Sequence, residues 1–361
     1  MPRPQKVPNT ADMVLAAQLF YKQKVPRKQI ADRLNTDLRG VAWLLAQAEK
    51  FQIVNIQIHQ TVESELEHQI RKLFPDVQRV LLVPGEHVET APQYLEMQRR
   101  YAIATAKYFD ELVDHHKGGS LHVGVSGGET VLEIVSAVPE RLRKNLYIHV
   151  TSLMGRGPLQ KSGNQIEPAV NASILWSRSG LVPGHCQYAT VLPYTIQKPG
   201  TEARKSVAAE LRALSESQPI RAVIDAMDRI QVAFLGISMV NAGRAPAALQ
   251  NRVAVSAILQ SIVSRKDLES EGAIAATSSW VFDEDGNSRD DWNFFLSAGH
   301  FAKDEKRKGL GFFKQMVQDG KKVIVAGGPF KVPGIRAALK GKMFNVLVTD
   351  EVSAQQIARG K

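Results

Sequence analysis

Cysteine and long apolar runs are scarce in this 361-residue sequence. Cys186 is the only cysteine, so an internal disulfide and a cysteine metal knuckle are excluded, and we expect it to pack as a small hydrophobic residue. No stretch approaches the roughly 20 consecutive apolar residues that span a bilayer. The start of the sequence lacks the apolar segment of an export signal. The sequence therefore predicts a soluble, cytoplasmic protein with no membrane partner.

Composition is that of a globular protein with a basic bias. Hydrophobic residues make up 44% of the chain and charged residues 23%, close to globular averages. The length suits two or three domains, and one small domain with one large domain fits best. The net charge of +10 favours polyanionic partners. Residues 1–60 hold nine basic and four acidic residues, so half of the net charge lies in a sixth of the chain.

This basic N-terminal segment has the pattern of a helix-turn-helix. Apolar residues at helical spacing predict helices over about 10–24, 27–34 and 37–50. Two short helices joined by a tight turn place the later one in the major groove of DNA. The following residues alternate like a strand from near Ile53, which would serve as a wing. A small helical bundle used for dimerisation is the alternative, and the clustered positive charge argues against it.

The third predicted helix carries the candidate DNA-reading residues. Arg39 can pair bidentately with guanine, and a phosphate-touching or solvated arginine is the alternative. Lys24, Arg27 and Lys28 are candidates for phosphate contacts, which fix register and make affinity salt-dependent. Trp43 either belongs to the core or packs on sugar and thymine methyl groups. The predicted DNA-binding set also includes three residues at the start of the helix, where a cap is expected: Thr36, Asp37 and Gly40.

From Val77 onward, short apolar strands alternate with helices. Such alternation predicts a mainly parallel sheet with helices on both faces. The predicted strands are 80–83, 121–125, 146–150, 189–192, 231–236, 322–326 and 344–349. In folds of this kind, ligands gather at the carboxyl ends of the strands.

Two of these strands are followed by glycine-rich loops, which we call the first and second glycine loops (residues 126–130 and 327–331). In both, glycines let the backbone approach an anion, and the amides of a helix N-terminus point at it. The serine and threonine hydroxyls of the first loop can add donors, whereas Glu129 is expected to point away from a phosphate. In the second loop Lys331 is placed to meet a charged ligand. A tight turn or a surface lysine would explain either loop taken alone.

The motifs resemble those of SorC-family transcriptional regulators. In the N-terminal module the resemblance lies in Phe20-Tyr21, Gln29 to Leu34, Val41, Leu44-Leu45 and Ala48 to Ile58. In the large domain it lies in Val123 to Thr130, Leu153 to Gly157, Gly272 to Gly286, Val325 to Lys331, Ile335 to Leu339 and Asn345 to Glu351. The resemblance implies an α/β fold with an N-terminal winged helix-turn-helix (1–60). It also implies a large Rossmann-like effector domain (61–361) related to sugar-phosphate isomerases and CoA transferases.

The resemblance further implies partners and site residues. The partners are double-stranded operator DNA, a phosphorylated sugar or similar small metabolite, and further copies in a homodimer or homotetramer. The residues assigned to effector binding by resemblance are Ser126, Gly127, Gly128, Glu129, Thr130, Arg156, Asn171, Thr277, Gly327, Gly328 and Lys331. The chain has Ala276 where the family has an acidic residue, so either the ligand differs or Thr277 or Ser278 contacts the sugar hydroxyl instead. Asp37, Ala42 and Trp43 also depart from the family pattern, which affects the operator sequence.

The expected function is a DNA-binding regulator of carbohydrate metabolism genes, with no enzymatic activity, cofactor or metal. A sugar-phosphate isomerase or transferase-like enzyme on the same fold is the alternative, but it needs a positioned acid or base, and Ala276 removes the most obvious candidate. A nonspecific nucleic-acid binder explains the charge but leaves the glycine loops unexplained. The acidic segment Phe282–Asn287 predicts a hairpin turn rather than a metal site.

Overall fold

The computed structural model divides into two compact units, Met1–Glu63 and Ser64–Lys361, each with its own hydrophobic core. The residues that it describes are 9–51, 53–54, 64–140, 146–155, 167–179, 186–187, 209–210, 212–214, 216–255, 259–260, 263–289, 292–293, 295–300, 302 and 304–359.

The first unit is helical. Its helices are α1 (Thr10–Ala17), continued by a π-helical turn (Gln18–Lys22), α2 (Arg27–Arg33) and α3 (Leu38–Lys50). Asn9 caps α1 by accepting a hydrogen bond from the Ala11 amide, which satisfies one of the donors left open at a helix start. The three predicted helices are thus confirmed. The strand predicted from Ile53 is wrong at its start, because Ile53 and Val54 form a bend; the rest of it lies outside the described residues.

The turn between α2 and α3 is held by local hydrogen bonds. Asn35 adopts a left-handed conformation with φ of 50°, and the Thr36 amide donates to the Ala31 carbonyl oxygen at 2.9 Å. Asp37 caps α3 by accepting a hydrogen bond from the Gly40 amide at 2.7 Å. A side chain at position 40 would collide with the Thr36 hydroxyl, so glycine lets the capped turn close.

Among the described residues, the second unit contains ten strands, ten α-helices and two short 3-10 helices (Ala247–Leu249 and Glu305–Arg307). The strands are β1 (Arg79–Val83), β2 (Ser120–Val125), β3 (Tyr147–Ser152), β4 (Cys186–Gln187), β5 (Val232–Leu235), β6 (Ser238–Met239), β7 (Ala275–Thr277), β8 (Trp280–Phe282), β9 (Lys322–Ala326) and β10 (Val346–Asp350). The helices are α4 (Glu65–Leu73), α5 (Ala91–His115), α6 (Glu129–Ala137), α7 (Pro168–Arg178), α8 (Gln218–Met227), α9 (Gln250–Val253), α10 (Arg265–Ser270), α11 (Gly311–Gln318), α12 (Val332–Lys340) and α13 (Glu351–Arg359). The strand predicted at 189–192 lies outside the described residues.

Seven strands form one parallel sheet in the order β1-β10-β9-β5-β2-β3-β4. From β2 the chain runs outward to β3 and β4, whereas from β5 it runs to β9 and β10 in the opposite direction. The strand order therefore reverses between β2 and β5. At such a switch point the connecting loops part and leave a crevice at the carboxyl ends of the strands. The predicted parallel α/β fold is confirmed.

A second sheet has the order β6-β7-β8 with antiparallel pairing. Its first strand, β6, directly follows β5 in the chain. Ser278 and Ser279 form its β7–β8 hairpin turn with φ of 44° and 69°. The turn predicted over Phe282–Asn287 is present: the Asp283 amide donates to the Asn287 carbonyl oxygen at 2.9 Å, and the Gly286 amide donates to the Asp283 carbonyl oxygen at 3.1 Å. That acidic segment leads out of β8, and its Asp283 carboxylate accepts the amides of Asp285 and Asn287.

Candidate functional site

The ends of three neighbouring strands meet at the carboxyl edge of the sheet, where the switch point predicts a ligand crevice. Val125 of β2 pairs with Phe234 of β5, and Leu235 pairs with Val325 of β9. The first glycine loop, Gly236 and the second glycine loop therefore follow one another along the carboxyl edge of the sheet. The Gly236 amide donates a hydrogen bond to the Ser126 hydroxyl at 3.1 Å, which ties β5 to the first glycine loop across the switch point.

The first glycine loop is a strand-to-helix turn held by a buried asparagine. Gly128 has φ of 99°, a conformation that favours glycine, and α6 begins at the next residue. Asn171 of α7 is fully buried, and its amide nitrogen donates to the carbonyl oxygens of Ser126 and Gly128 at 3.0 and 3.4 Å. Its Oδ1 is buried without a hydrogen-bond partner. Asn171 therefore holds the loop and offers one unused acceptor.

The two hydroxyls of this loop have acceptors within the protein. Ser126 donates to the Gly127 carbonyl oxygen at 3.3 Å. Thr130 donates to Oε1 of Gln98, on α5, at 2.5 Å, and both hydroxyl residues are buried. In this structure both hydroxyls donate within the protein, so their role as donors for an anion stays a prediction.

Glu129 forms an ion pair with Arg252 of α9. The side chains are 23% and 25% exposed, so both are largely shielded from solvent. Glu129 follows β2, whereas α9 follows β6, and the Ala254 beyond α9 bridges to Met239 of β6. The pair therefore links the two sides of the switch point. Glu129 does turn to a partner, as expected, but Arg252 carries no motif that could have revealed it from the sequence.

The second glycine loop holds a buried lysine. Lys331 is only 5% exposed, and a Cβ at Gly327 would lie 3.7 Å from its Cδ atom, so its stem packs along the loop. A side chain at Gly328 would collide with the Tyr101 hydroxyl and the Asp350 carboxylate. This close approach explains the glycine, and the burial of Lys331 excludes its interpretation as a surface lysine.

Behind the loop, a buried polar network joins α5, β10 and α13. Tyr101 donates to the Asp350 carboxylate at 2.7 Å, and Asp350 also accepts the amide and hydroxyl of Ser353. Burial, the charge of Asp350 and this hydrogen bond raise the pKa of Tyr101 well above its ordinary value. Tyr101 therefore stays a neutral donor and keeps the carboxylate fixed behind Gly328.

The β7 end contributes further polar groups. Thr277 and Ser278 are buried, and neither hydroxyl has a hydrogen-bond partner, whereas Ala276 beside them packs in an apolar cluster. A buried hydroxyl without a partner is costly unless a ligand or water satisfies it. Arg156 lies outside the described residues.

The candidate nucleic-acid interface is the exposed face of the first unit. Arg39 is exposed, and Trp43 is 39% exposed, so the interpretation of Trp43 as a core residue is wrong. Lys24, Arg27 and Lys28 are exposed as well, and the Arg27 guanidinium lies over the Phe20 ring at 5.0 Å. Thr36, Asp37 and Gly40 lie at the capped start of α3, and their DNA contacts stay a prediction.

The part of the chain that the structure describes contains no group of three or more metal-ligating side chains. No helix in that part is long and apolar enough to cross a membrane.

Together, the two units define a class: an N-terminal helix-turn-helix unit followed by a parallel α/β domain with two glycine loops at the carboxyl edge of its sheet. Residues 194–359 match the family model described as "Putative sugar-binding domain". No curated protein matches the chain.

Solved structures extend this likeness. The chain is similar to the full-length sorbitol operon regulator SorC from Klebsiella pneumoniae, with 18% identity and a TM-score of 0.68, covering 98% of this chain and 100% of that one. It is also similar to a domain of a possible sugar-binding transcriptional regulator from Arthrobacter aurescens TC1, with 18% identity and a TM-score of 0.59, over 84% of this chain and 100% of that one. A probable sor operon regulator from Shigella flexneri gives 18% identity and a TM-score of 0.56, over 81% and 98% of the chains. The predicted resemblance to SorC-family regulators is thus confirmed in fold and in the sugar-binding domain.

Proposed function

We propose that the protein is a DNA-binding transcriptional regulator of carbohydrate metabolism genes, acting in the cytoplasm, whose operator binding responds to a phosphorylated sugar or a related metabolite. The observation that carries the proposal is the pairing of two sites in one chain. An exposed basic helix face lies in one unit, and a strand-end crevice with a buried lysine lies in the other. The full-length likeness to SorC supports the same combination.

The first unit, taken as residues 1–60, is the DNA-binding domain of this proposal. Arg39 and Trp43 of α3 face the bases, and Lys24, Arg27 and Lys28 contact phosphates. Their exposure supports these roles. Operator half-sites related by two-fold symmetry call for a homodimer or homotetramer.

Residues 61–361 bind the effector in this proposal. Gly127, Gly128, Asn171, Thr277 and Lys331 surround the ligand. Lys331 supports a charged ligand, because a buried ammonium is costly to desolvate without an anion nearby. The effector acts by its different affinity for two subunit arrangements, only one of which matches the operator spacing. No catalytic role is assigned to the crevice.

Fluorescence anisotropy tests the proposal. The full-length protein is titrated onto DNA from upstream of its own gene and onto scrambled DNA, with and without a panel of sugar phosphates. We expect preferential binding to the upstream DNA and a change of that binding by one compound.

Lys331→Ala is the matched variant, and Lys340→Ala, an exposed lysine at the end of the same helix, is its control. Lys331→Ala is expected to weaken effector binding by about tenfold or more, because it removes roughly one charge-assisted hydrogen bond. DNA binding should be unchanged. Equal, weak binding to both DNAs that no compound alters would contradict the proposal.

A further inference from the structure

The first glycine loop already contains an anion of its own. Glu129 is the first residue of α6, where the helix dipole attracts negative charge. Its carboxylate is paired with Arg252 at the switch point. The position at which a phosphate would gain most from the helix N-terminus is therefore already taken by a carboxylate, and the nearby Arg252 cation is already engaged by it.

The remaining side-chain polar groups of the loop are acceptors rather than donors. Asn171 donates its amide nitrogen to two loop carbonyl oxygens and leaves its buried Oδ1 without a donor. The hydroxyl protons of Ser126 and Thr130 are engaged within the protein. A phosphate has only acceptor oxygens near neutral pH, whereas a sugar hydroxyl can donate to Asn171 and to Glu129. The loop is therefore better matched to hydroxyl groups.

The second glycine loop, by contrast, supplies a cation, because it holds the buried Lys331. Lys331 lies after β9, and β5 separates β9 from β2. With neighbouring strands roughly 4.8 Å apart, the ends of β2 and β9 are about 10 Å apart, which a phosphorylated sugar can span. A single phosphate at Lys331 would thus leave the hydroxyl end of the same molecule at the first glycine loop.

From these contacts we propose that Glu129, paired with Arg252, makes the first glycine loop a hydroxyl-binding subsite that selects against a second phosphate. The ligand class is a sugar or polyol monophosphate, oriented with its phosphate at Lys331. The inference rests on the proposed function, since it concerns the polarity of the same effector site. A second phosphate would bring about two negative charges against the Glu129 carboxylate.

Isothermal titration calorimetry on the full-length protein tests this orientation with three matched pairs of probes. They are fructose 6-phosphate and fructose 1,6-bisphosphate, glucose 6-phosphate and glucose 1,6-bisphosphate, and ribulose 5-phosphate and ribulose 1,5-bisphosphate. At least one monophosphate is expected to bind about tenfold or more tightly than its bisphosphate. Glu129→Gln should close this affinity gap between monophosphate and bisphosphate, because it should strengthen binding of the bisphosphate.

Two variants isolate the charge of Glu129. Glu129→Asp keeps the charge and should keep the gap. Glu133→Gln removes a carboxylate one turn further along α6 and should leave the gap unchanged. If the wild-type protein binds each bisphosphate as tightly as its monophosphate, the inference is overturned. This comparison uses the wild-type protein alone, so it tests the inference even if Glu129→Gln does not fold. Equal effects of Glu129→Gln and Glu133→Gln also overturn it.

Failure of the inference and failure of the proposed function give different results. If the inference alone fails, mono- and bisphosphate bind equally and Lys331→Ala still weakens both. If no probe binds the wild-type protein and none changes its DNA binding, the sensor function fails, and the inference fails with it.

Discussion

Gly328 lies where two buried polar groups, the Tyr101 hydroxyl and the Asp350 carboxylate, occupy the space that a side chain would need. The loop carrying Lys331 is therefore positioned by residues that never touch a ligand. A methyl group added at Gly328 is therefore expected to lower the stability of the fold, because the buried Tyr101 hydroxyl and Asp350 carboxylate cannot move aside into solvent.

Gly328→Ala is expected to destabilise the second unit by about 1–3 kcal/mol, the usual cost of overpacking a well-packed interior. Gly119→Ala is the control, because a Cβ there meets no atom within 4 Å. Urea unfolding followed by circular dichroism measures both. A loss for Gly119→Ala as large as that for Gly328→Ala would show that the collision is not the cause.

Individual site residues differ in how far the sequence reveals them. Lys331 follows a strand and two glycines, so its place at a strand end is predictable from spacing. Arg252 is not predictable, because the pair that gives it a role joins positions 123 residues apart. The engaged hydroxyls of Ser126 and Thr130 are hidden for the same reason, since Gln98 and Gly236 reach them only in the folded chain.

Among the elements, β2 and β3 bring two histidines together. His122 pairs with His149 in the strand register, and the rings stack with centroids 4.4 Å apart. Burial, the neighbouring His149 and Arg229 lower the pKa of His122. The folded protein therefore binds a proton at His122 less readily than the unfolded chain does.

The resulting pH dependence has a definite sign. With the folded pKa lowered, the contribution of His122 to stability is complete above the unfolded value of about 6.5 and is lost as the pH falls through the folded pKa. His122→Gln should flatten the decline of stability below about pH 6.5, whereas His68→Gln, on the exposed side of α4, should leave it intact. Urea midpoints between pH 7 and 5 measure the slope, and identical slopes for wild type and His122→Gln would refute the assignment.

Helices α2 and α3 carry a different prediction, because their exposed residues differ in chemistry. Arg39→Ala should reduce the magnitude of the binding free energy for the operator by about 1–3 kcal/mol and that for unrelated DNA only slightly, as expected for a base-edge contact. Lys28→Ala should weaken binding to all sequences alike and reduce the salt slope by about one. Anisotropy titrations at several salt concentrations distinguish the two. If Arg39→Ala behaves as Lys28→Ala does, Arg39 contacts phosphate.

Element limits were predictable where local signals exist. The Asp37 cap and the apolar spacing of α3 define its start and its buried face, and the main strands read as short apolar runs. The β7–β8 hairpin was missed because its turn consists of two serines in left-handed conformations, for which the sequence has no glycine or asparagine signal. The acidic Asp283 segment carries that signal and forms a hydrogen-bonded turn after β8.

For the whole molecule, the two hydrophobic cores draw on separate parts of the chain. The core of the first unit consists of residues between Met13 and Val54. In the second unit, the fully buried residues of the larger hydrophobic cluster begin at Ile70. Strand alternation predicted a parallel sheet, but not the order β1-β10-β9-β5-β2-β3-β4, because pairing between distant strands leaves no local trace in the sequence.

This separation predicts that residues 64–361 fold without the first unit. The fragment should bind the effector with the affinity of the full chain and should lose operator binding. At a hundredfold excess over Kd, the effector should stabilise the fragment by about 2.7 kcal/mol, the same as in the full chain. Thermal unfolding of both proteins tests this, and a fragment that fails to gain stability from a ligand of the full chain would refute it.

The sheet order also fixes a sequence of events at the ribosome. β1 is held in the sheet by β10, so the second unit can close only after residues 346–350 have emerged, whereas the helices of the first unit make local contacts and can fold early. At roughly 5–20 residues per second, the delay is about 15–60 s. During that interval each nascent chain presents a finished basic helical unit ahead of the domain proposed to control it.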